Sequence, residues 1–318
     1  MTYNVLIIYD GKISSLNQAM GLTNSLKKKS KKKFKIKLLS FCPFYKKIIG
    51  NTLIFYYLLI KFLILRKKLD FLNTELIVSC GRVAAPLSLI YKRICQAKII
   101  NILDPYFRRK EFDKIIIPYH DEKLRGDNFL RINGALVNKE LRKIKKSDAD
   151  MFSNLINKNK KNIVILIGGN TRKSTFEGND INKLTLYLQM INMSQNNLFF
   201  LFSRRTSNNI KTDIKHNFKN AFIWDENSKN PYWFLLSKAH VIIVTEDSIS
   251  MISEAVSLCK PVYIFRLQKL KKKIRNFTVF LEDKNIAKPF RGSVNLWKPE
   301  KLIVEEKIVP HVLEYLKI

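Results

Sequence analysis

Acidic side chains are scarce in this chain: 26 Asp and Glu stand against 58 Lys and Arg, a formal charge of +32 over 318 residues. Such an excess raises the question of a nucleic-acid partner, yet no recognition module and no basic-aromatic motif accompanies it. The lysines spread over most predicted helix faces beside abundant Asn and Ile, as an AT-rich coding bias would leave them, so no nucleic-acid partner is expected. The charge would still favour anionic membrane surfaces or phosphate-bearing substrates. Cysteine is equally thin. Cys42, Cys80, Cys95 and Cys259 form no C-x-x-C pair and have no His at ligand spacing, which argues against structural zinc and for a reduced, cytoplasmic protein. The first residues, Met1 to Tyr9, lead straight into a strand, so no signal peptide is expected. No short repeat and no long disordered segment interrupts the chain.

What is present is a globular chain, 46% hydrophobic and 11% aromatic, long enough for two domains of about 150 residues each. Apolar runs alternate with helical patterns, the mark of βαβ units and parallel sheets. Strands are predicted near 3–9, 34–39, 75–79, 98–102, 114–117 and 128–132, with helices that include 15–29 and 84–96. A polar, Lys-rich helical stretch follows from Asn138 to about Lys158. A second alternation places strands near 162–167, 198–202, 221–224, 241–244 and 261–265, separated by helices 180–194, 206–218, 231–238 and 248–258. The expected organisation is therefore α/β, two Rossmann-like, doubly wound parallel-sheet domains. They span 1–150 and 151–298, and a final amphipathic helix in 299–318 returns to the first.

One segment stands apart. Ile48 to Leu65 is almost wholly apolar and flanked by Lys46-Lys47 and Arg66-Lys67-Lys68. It just reaches the length of a spanning candidate, but it carries Asn51 and Lys61 and lies between two strands of one sheet. A core helix and an interfacial helix docking residues 46–68 on anionic lipid both remain open.

In open parallel sheets, ligands bind beyond the carboxyl ends of strands, where loops enter helix N-termini. The first strand is followed by Asp10-Gly11-Lys12, with Gln18 in the next helix; the third by Cys80-Gly81-Arg82. Arg82 is either a plain surface residue or a cleft-facing one. The fifth strand ends in Pro118-Tyr119-His120-Asp121; an unperturbed imidazole titrates near neutrality, as a general base would, so His120 is either that base or a structural residue. In the second half, Gly168-Gly169-Asn170-Thr171 offers backbone N–H groups and a hydroxyl to an anion but does not match the Walker pattern. Ser203-Arg204-Arg205-Thr206 presents paired guanidinium groups suited to pyrophosphate, or to structural ion pairs. The most informative stretch, Thr245 to Ala255, opens a helix with Asp247 or Ser248 as N-cap. Helical spacing then predicts Asp247, Ser250 and Glu254 on one face, with a phosphate at the helix start and Glu254 on ribose hydroxyls. For Asn230-Pro231-Tyr232, helix capping suffices.

Taken in order, DGK…NQ…GL at 10–22, GR at 81–82, DP at 104–105, FD…P.HD…G.N at 112–128, GG.T at 168–171, SRRT at 203–206, NPY at 230–232 and VT.DS.SM.SEA at 244–255 resemble the mitochondrial-fission ELM-one (elongated mitochondria) family. Its bacterial members are described as nucleoside-diphosphate-sugar epimerase-like. The resemblance implies a GT-B-like fold, with two lobes facing an interdomain cleft. The second lobe would hold a nucleotide-diphospho-sugar, through Gly168, Gly169, Thr171, Ser203, Arg204, Arg205, Asp247, Ser248 and Ser250, with Glu254 on the ribose. The first lobe would receive the acceptor near Lys12, Gln18 and Arg82, with His120 or Asp10 as base. The expected activity is metal-independent glycosyl transfer, without cofactor, to an acceptor that is unknown and fits a membrane-linked one. An epimerase-like enzyme and a non-catalytic fission or membrane adaptor are the alternatives. The expected location is cytoplasmic, including the periphery of the membrane's inner face.

Overall fold

The structure, a computed structural model, describes residues 2–43, 50–65, 71–119, 124–170, 176 and 178–318. The chain divides into two compact units, 1–140 with 303–318, and 141–302.

In the first unit β1 (Thr2–Tyr9), α1 (Ile13–Lys29), β2 (Lys33–Ser40), α2 (Asn51–Leu65), β3 (Leu76–Cys80), α3 (Ala85–Cys95), β4 (Lys98–Ile102), β5 (Lys114–Pro118) and β6 (Phe129–Ile132) follow one another. The six strands form one sheet in the order β2-β1-β3-β4-β5-β6, every pair parallel. Inner strands of such a sheet are covered on both faces, so they must be apolar throughout. Leu6, Ile7, Ile8, Ile77, Val78, Ile99, Ile100, Ile115 and Ile116 are accordingly sealed from solvent, each worth about 1.5–3 kcal/mol of burial. The edge strand β2 differs. Its Lys33, Lys35 and Lys37 alternate outward from the buried Phe34, and lysines on an edge discourage pairing with another chain.

The second unit runs α4 (Lys146–Phe152), β7 (Lys161–Ile167), α5 (Asn179–Gln189), β8 (Asn196–Phe202), α6 (Asn208–Asn217), β9 (Phe222–Ile223), α7 (Tyr232–Lys238), β10 (Val241–Thr245), α8 (Ile249–Val256), β11 (Val262–Phe265), α9 (Lys272–Asp283) and β12 (Lys288–Pro289). Its sheet has the order β12-β11-β10-β7-β8-β9, again all parallel. Phe176, Phe200, Phe218 and Phe265 fill one side of it together with Leu184 and Ile210. The last helix, α10 (Glu305–Leu316), belongs to the first unit. There the Glu305 carboxylate accepts the Val137 N–H at 3.1 Å and the Tyr315 hydroxyl donates to Asp113 at 3.0 Å.

One expectation changes. The helical stretch predicted for 138–158 is broken into a turn at Lys139–Arg142, α4, and a turn at Ser153–Leu155. The side chains of Asn138 and Asn157 accept backbone N–H groups two residues on, at 3.3 and 2.9 Å, bonds that compete with helix continuation. The apolar segment at 48–65 yields a helix of 15 residues. Among the described residues no helix is long and apolar enough to cross a membrane.

Each sheet reverses its winding at one place, and there the outgoing connections diverge and leave a crevice beyond the strand ends. In the first unit the reversal lies between β1 and β3, whose last residues, Tyr9 and Cys80, are register partners. In the second it lies between β7 and β10, with Leu166 paired to Val244.

Candidate functional site

The loops after β7, β8 and β10 interlock. Thr245, the last residue of β10, accepts the Gly168 N–H on its hydroxyl at 2.8 Å and donates to the Asp247 carboxylate at 2.7 Å. Asp247 also accepts the Gly169 N–H at 3.1 Å and a guanidinium N–H of Arg205 at 3.4 Å. From the β8 side, the Thr206 hydroxyl donates to the Gly168 carbonyl at 2.6 Å, while Ser203 closes the turn by accepting the Arg205 N–H at 3.2 Å. Burial pushes the Asp247 carboxyl above its ordinary range, opposed by Thr245, Gly169 and Arg205.

This geometry corrects two expectations. Asp247 does not share a face of the helix with Ser250 and Glu254, because α8 begins at Ile249 and Asp247 turns inward ahead of it. The Gly168 and Gly169 amides are not presented to a ligand either. They are engaged by Thr245 and Asp247, and the glycines are there for space. A Cβ on Gly168 would lie 1.9 Å from the Asp247 carboxylate, and one on Gly169 would lie 2.0 Å from the Arg205 carbonyl oxygen. Real atoms cannot approach so closely, so the pair lets three loops pack as one.

What remains open to solvent lies above that packed floor. Arg204 and Arg205 are both exposed. Ser248 is the N-cap of α8, its hydroxyl accepting the Met251 N–H at 3.5 Å; Ser250, half-buried, is in the first turn. The opening N–H groups of a helix have no acceptor within it and favour anions. Glu254 lies six residues beyond Ser248, about 9 Å along the axis. Its carboxylate accepts the Tyr232 hydroxyl at 2.6 Å. Burial, then the facing carboxylate, pushes the Tyr232 phenol well above its ordinary range, so it stays a donor at any physiological pH. Sequence reasoning treated Tyr232 as part of a cap, and that much holds: the Asn230 side chain accepts the Tyr232 N–H at 2.9 Å. Its phenol was missed. So was Glu246, fully buried, which accepts the Thr278 hydroxyl at 2.5 Å and an Arg275 N–H group at 3.1 Å. Acid beside acid in Glu246-Asp247 was the available signal.

In the first unit, Asp10 is buried at the end of β1 and ion-paired to Lys12. Gly81, at φ +85°, turns the chain after β3 and brings its backbone beside the Asp10 carboxylate. Gln18 is buried in α1. Its amide donates to the Ser14 carbonyl at 3.4 Å, and among the described residues its side-chain oxygen has no partner. Burial, with the Asp10 charge adding, pushes the Cys80 thiol up to about 12, so it is inert. Arg82 is exposed, and its carbonyl accepts from Asn51 at 2.9 Å. Structure and register therefore gather Asp10, Lys12 and Gly81 in one unit, and Arg205, Asp247 and Ser248 in the other. His120 and Thr171 lie outside the described residues.

Among the described residues no three of His, Cys, Asp and Glu gather as metal ligands. The sequence holds one D-x-D, Asp148-Ala149-Asp150, in α4, where Asp148 is ion-paired to Lys229 at 2.5 Å.

The fold is that of solved GT-B proteins. The chain aligns over 98% of its length with all of the UDP-GlcNAc 2-epimerase from Neisseria meningitidis, solved bound to UDP-GlcNAc, at a TM-score of 0.54 and 17% identity. It aligns over 99% of its length with 90% of MurG from Acinetobacter baumannii, at a TM-score of 0.51 and 11% identity. By sequence it is 29% identical to the uncharacterized protein RP120 of Rickettsia prowazekii (strain Madrid E), covering 99% of both chains. It is 23% identical to mitochondrial fission protein ELM1 of Arabidopsis thaliana, across 68% of this chain and 57% of that protein. A family model described as Mitochondrial fission ELM1 matches residues 15–316, which take in the switch point and strand-end cluster of the second unit, while β1, Asp10 and Lys12 precede the match. The chain belongs to that family.

Proposed function

We propose that the second unit binds a nucleoside diphospho-sugar beyond β7, β8 and β10, and that the protein transfers the sugar to an acceptor. In this reading Arg204 and Arg205 hold the diphosphate, helped by Ser248, Ser250 and the start of α8, and Glu254 accepts the ribose hydroxyls. Gly168, Gly169 and Asp247 hold the loops that carry these groups, and Ser203 fixes the turn of Arg204 and Arg205. Transition-state charge on a leaving diphosphate would be stabilised by fixed guanidinium and helix-terminus dipoles. Asp10 or His120 is the proposed base, with Lys12, Gln18 and Arg82 toward the acceptor.

The observation that carries the reading is the Glu254 carboxylate, held at 2.6 Å by the phenol of half-buried Tyr232 one helix away. A carboxylate oriented this way is a rigid acceptor for a pair of vicinal hydroxyls. The UDP-GlcNAc complex of the Neisseria relative makes nucleotide-sugars the natural probes.

Thermal shift across a panel of nucleotide-sugars tests it. A ligand at a hundredfold over its Kd adds about 2.7 kcal/mol of stability. Glu254→Ala is expected to weaken the best binder by about tenfold or more, near 1.4 kcal/mol. Binding that Glu254→Ala leaves untouched removes the ribose assignment, and no binding by any nucleotide-sugar removes the proposal. Product analysis then separates transfer from epimerisation, which changes the sugar and consumes no acceptor. Membership of a family described by organelle fission favours a second reading, a non-catalytic adaptor; binding without turnover across acceptor panels would support it.

A further inference from the structure

Helix α2 has two unlike faces. Ile54, Phe55 and Leu58 are buried in the first unit's core, beside α3. Opposite them Leu53, Tyr56, Tyr57 and Ile60 are 64, 46, 52 and 53% exposed. Their spacing, i, i+3, i+4 and i+7, makes a single stripe along the helix. Four large apolar side chains in a row are a poor surface for water.

Cations edge that stripe. The Arg93 and Arg108 guanidinium groups lie 5.1 and 4.7 Å from the Phe55 ring centre, and Arg108 also donates to the Tyr56 hydroxyl at 2.9 Å. The Lys61 ammonium sits 5.8 Å over the Tyr57 ring. Beside α3 a groove of about 360 Å³ is lined by Leu89, Lys92, Arg93, Gln96, Lys110 and Glu111. Glu111 is its one acid and is ion-paired to Arg93 and Arg108 at 2.9 and 2.7 Å. The sequence from Phe41 to Leu69 contains no acidic residue, and Lys46, Lys47, Arg66, Lys67 and Lys68 bracket the helix.

We infer that this face docks on an anionic phospholipid bilayer, with Leu53, Tyr56, Tyr57 and Ile60 in the interfacial layer and Lys61, Arg93 and Lys110 on lipid phosphates. Charge selects this occupant. A second copy of the chain would bring an equally basic rim against this one, whereas an anionic surface neutralises the rim while the stripe leaves water. Tyrosines, apolar in body and polar at the tip, suit the boundary between headgroup and acyl chain. Basic side chains gain from an anionic surface only within about a Debye length, so the attachment must be salt-sensitive.

Vesicle flotation of the full chain tests the inference, with phosphatidylcholine alone and with phosphatidylglycerol added. The wild type is expected to float with the anionic vesicles at low salt and to lose most of that binding at high salt. Tyr57→Ser with Ile60→Ser is expected to weaken binding at least about tenfold at an unchanged melting temperature, since both side chains are exposed. A charge control, Lys27→Glu with Lys28→Glu and Lys29→Glu at the exposed end of α1, is expected to bind nearly as the wild type does. Absence of anionic-vesicle binding would falsify the inference, as would a stripe variant that floats normally or a control that loses as much as the stripe variant. A solution dimer dissociated by the stripe variant would assign the face to a second copy instead.

Discussion

Asp247 shows how much a single residue can be asked to hold. Its carboxylate receives the Thr245 hydroxyl, the Gly169 N–H and Arg205, so the ends of β7, β8 and β10 meet on one side chain. Because burial raises its folded-state pKa, the native state binds the proton more tightly than the unfolded chain does. The stability this gives is complete below the ordinary carboxylate range, near pH 4, and is lost as pH rises through the folded value. Asp247→Asn removes that titration. Urea unfolding of both proteins between pH 4 and pH 7 should show the wild type's advantage over the variant shrinking as pH rises. A difference independent of pH would mean that Asp247 titrates alike in both states. Glu246 and Asp180 are displaced in the same direction, chiefly by burial, so only the difference between the two proteins isolates Asp247.

At the scale of elements, α7 and α8 are joined through the Tyr232–Glu254 bond. Tyr232→Phe deletes the donor and nothing else, and a hydrogen bond to a charged group is worth about 1.5–3 kcal/mol. Urea unfolding is expected to show a loss of that size with an unchanged m value. In a double-mutant cycle with Glu254→Ala the two losses should fall well short of adding; additive losses would show that the bond does not couple the helices. Strand positions were legible in the sequence, because strands of a parallel sheet are covered on both sides and write themselves as apolar runs such as NIVILI at 162–167 and VIIV at 241–244. The turn residues after them were legible for the same reason. Helix α9 and the two-residue strand β12 were not, since they lie in a Lys-rich stretch with no long apolar run. The inward turn of Asp247 was illegible too. It depends on Gly168 and Gly169, almost eighty positions earlier in the chain, and local spacing carries no trace of such a partner. Tyr232 was hidden differently: its backbone role at the start of α7 was sufficient to explain it, and its phenol reaches across 22 positions.

At the scale of the whole molecule, the first unit is built from two stretches of chain, 1–140 and 303–318. The second stretch supplies α10, which closes over Val137 through Glu305 and reaches Asp113 through Tyr315, and buries Ile308, Val309 and Val312. A chain ended at Leu302 is therefore expected to leave the first unit open to protease while fragments of 141–302 persist. Equal survival of both units after limited proteolysis would show that α10 is dispensable. The arrangement has a consequence during synthesis. At roughly 5–20 residues per second the ribosome needs about 10–35 s to travel from residue 140 to the end of the chain. Through that interval the first unit waits with an uncovered flank, because its closing helix α10 is translated only after the whole of the second unit. Whatever shelters nascent chains in the cell has most to do here for the half that was made first.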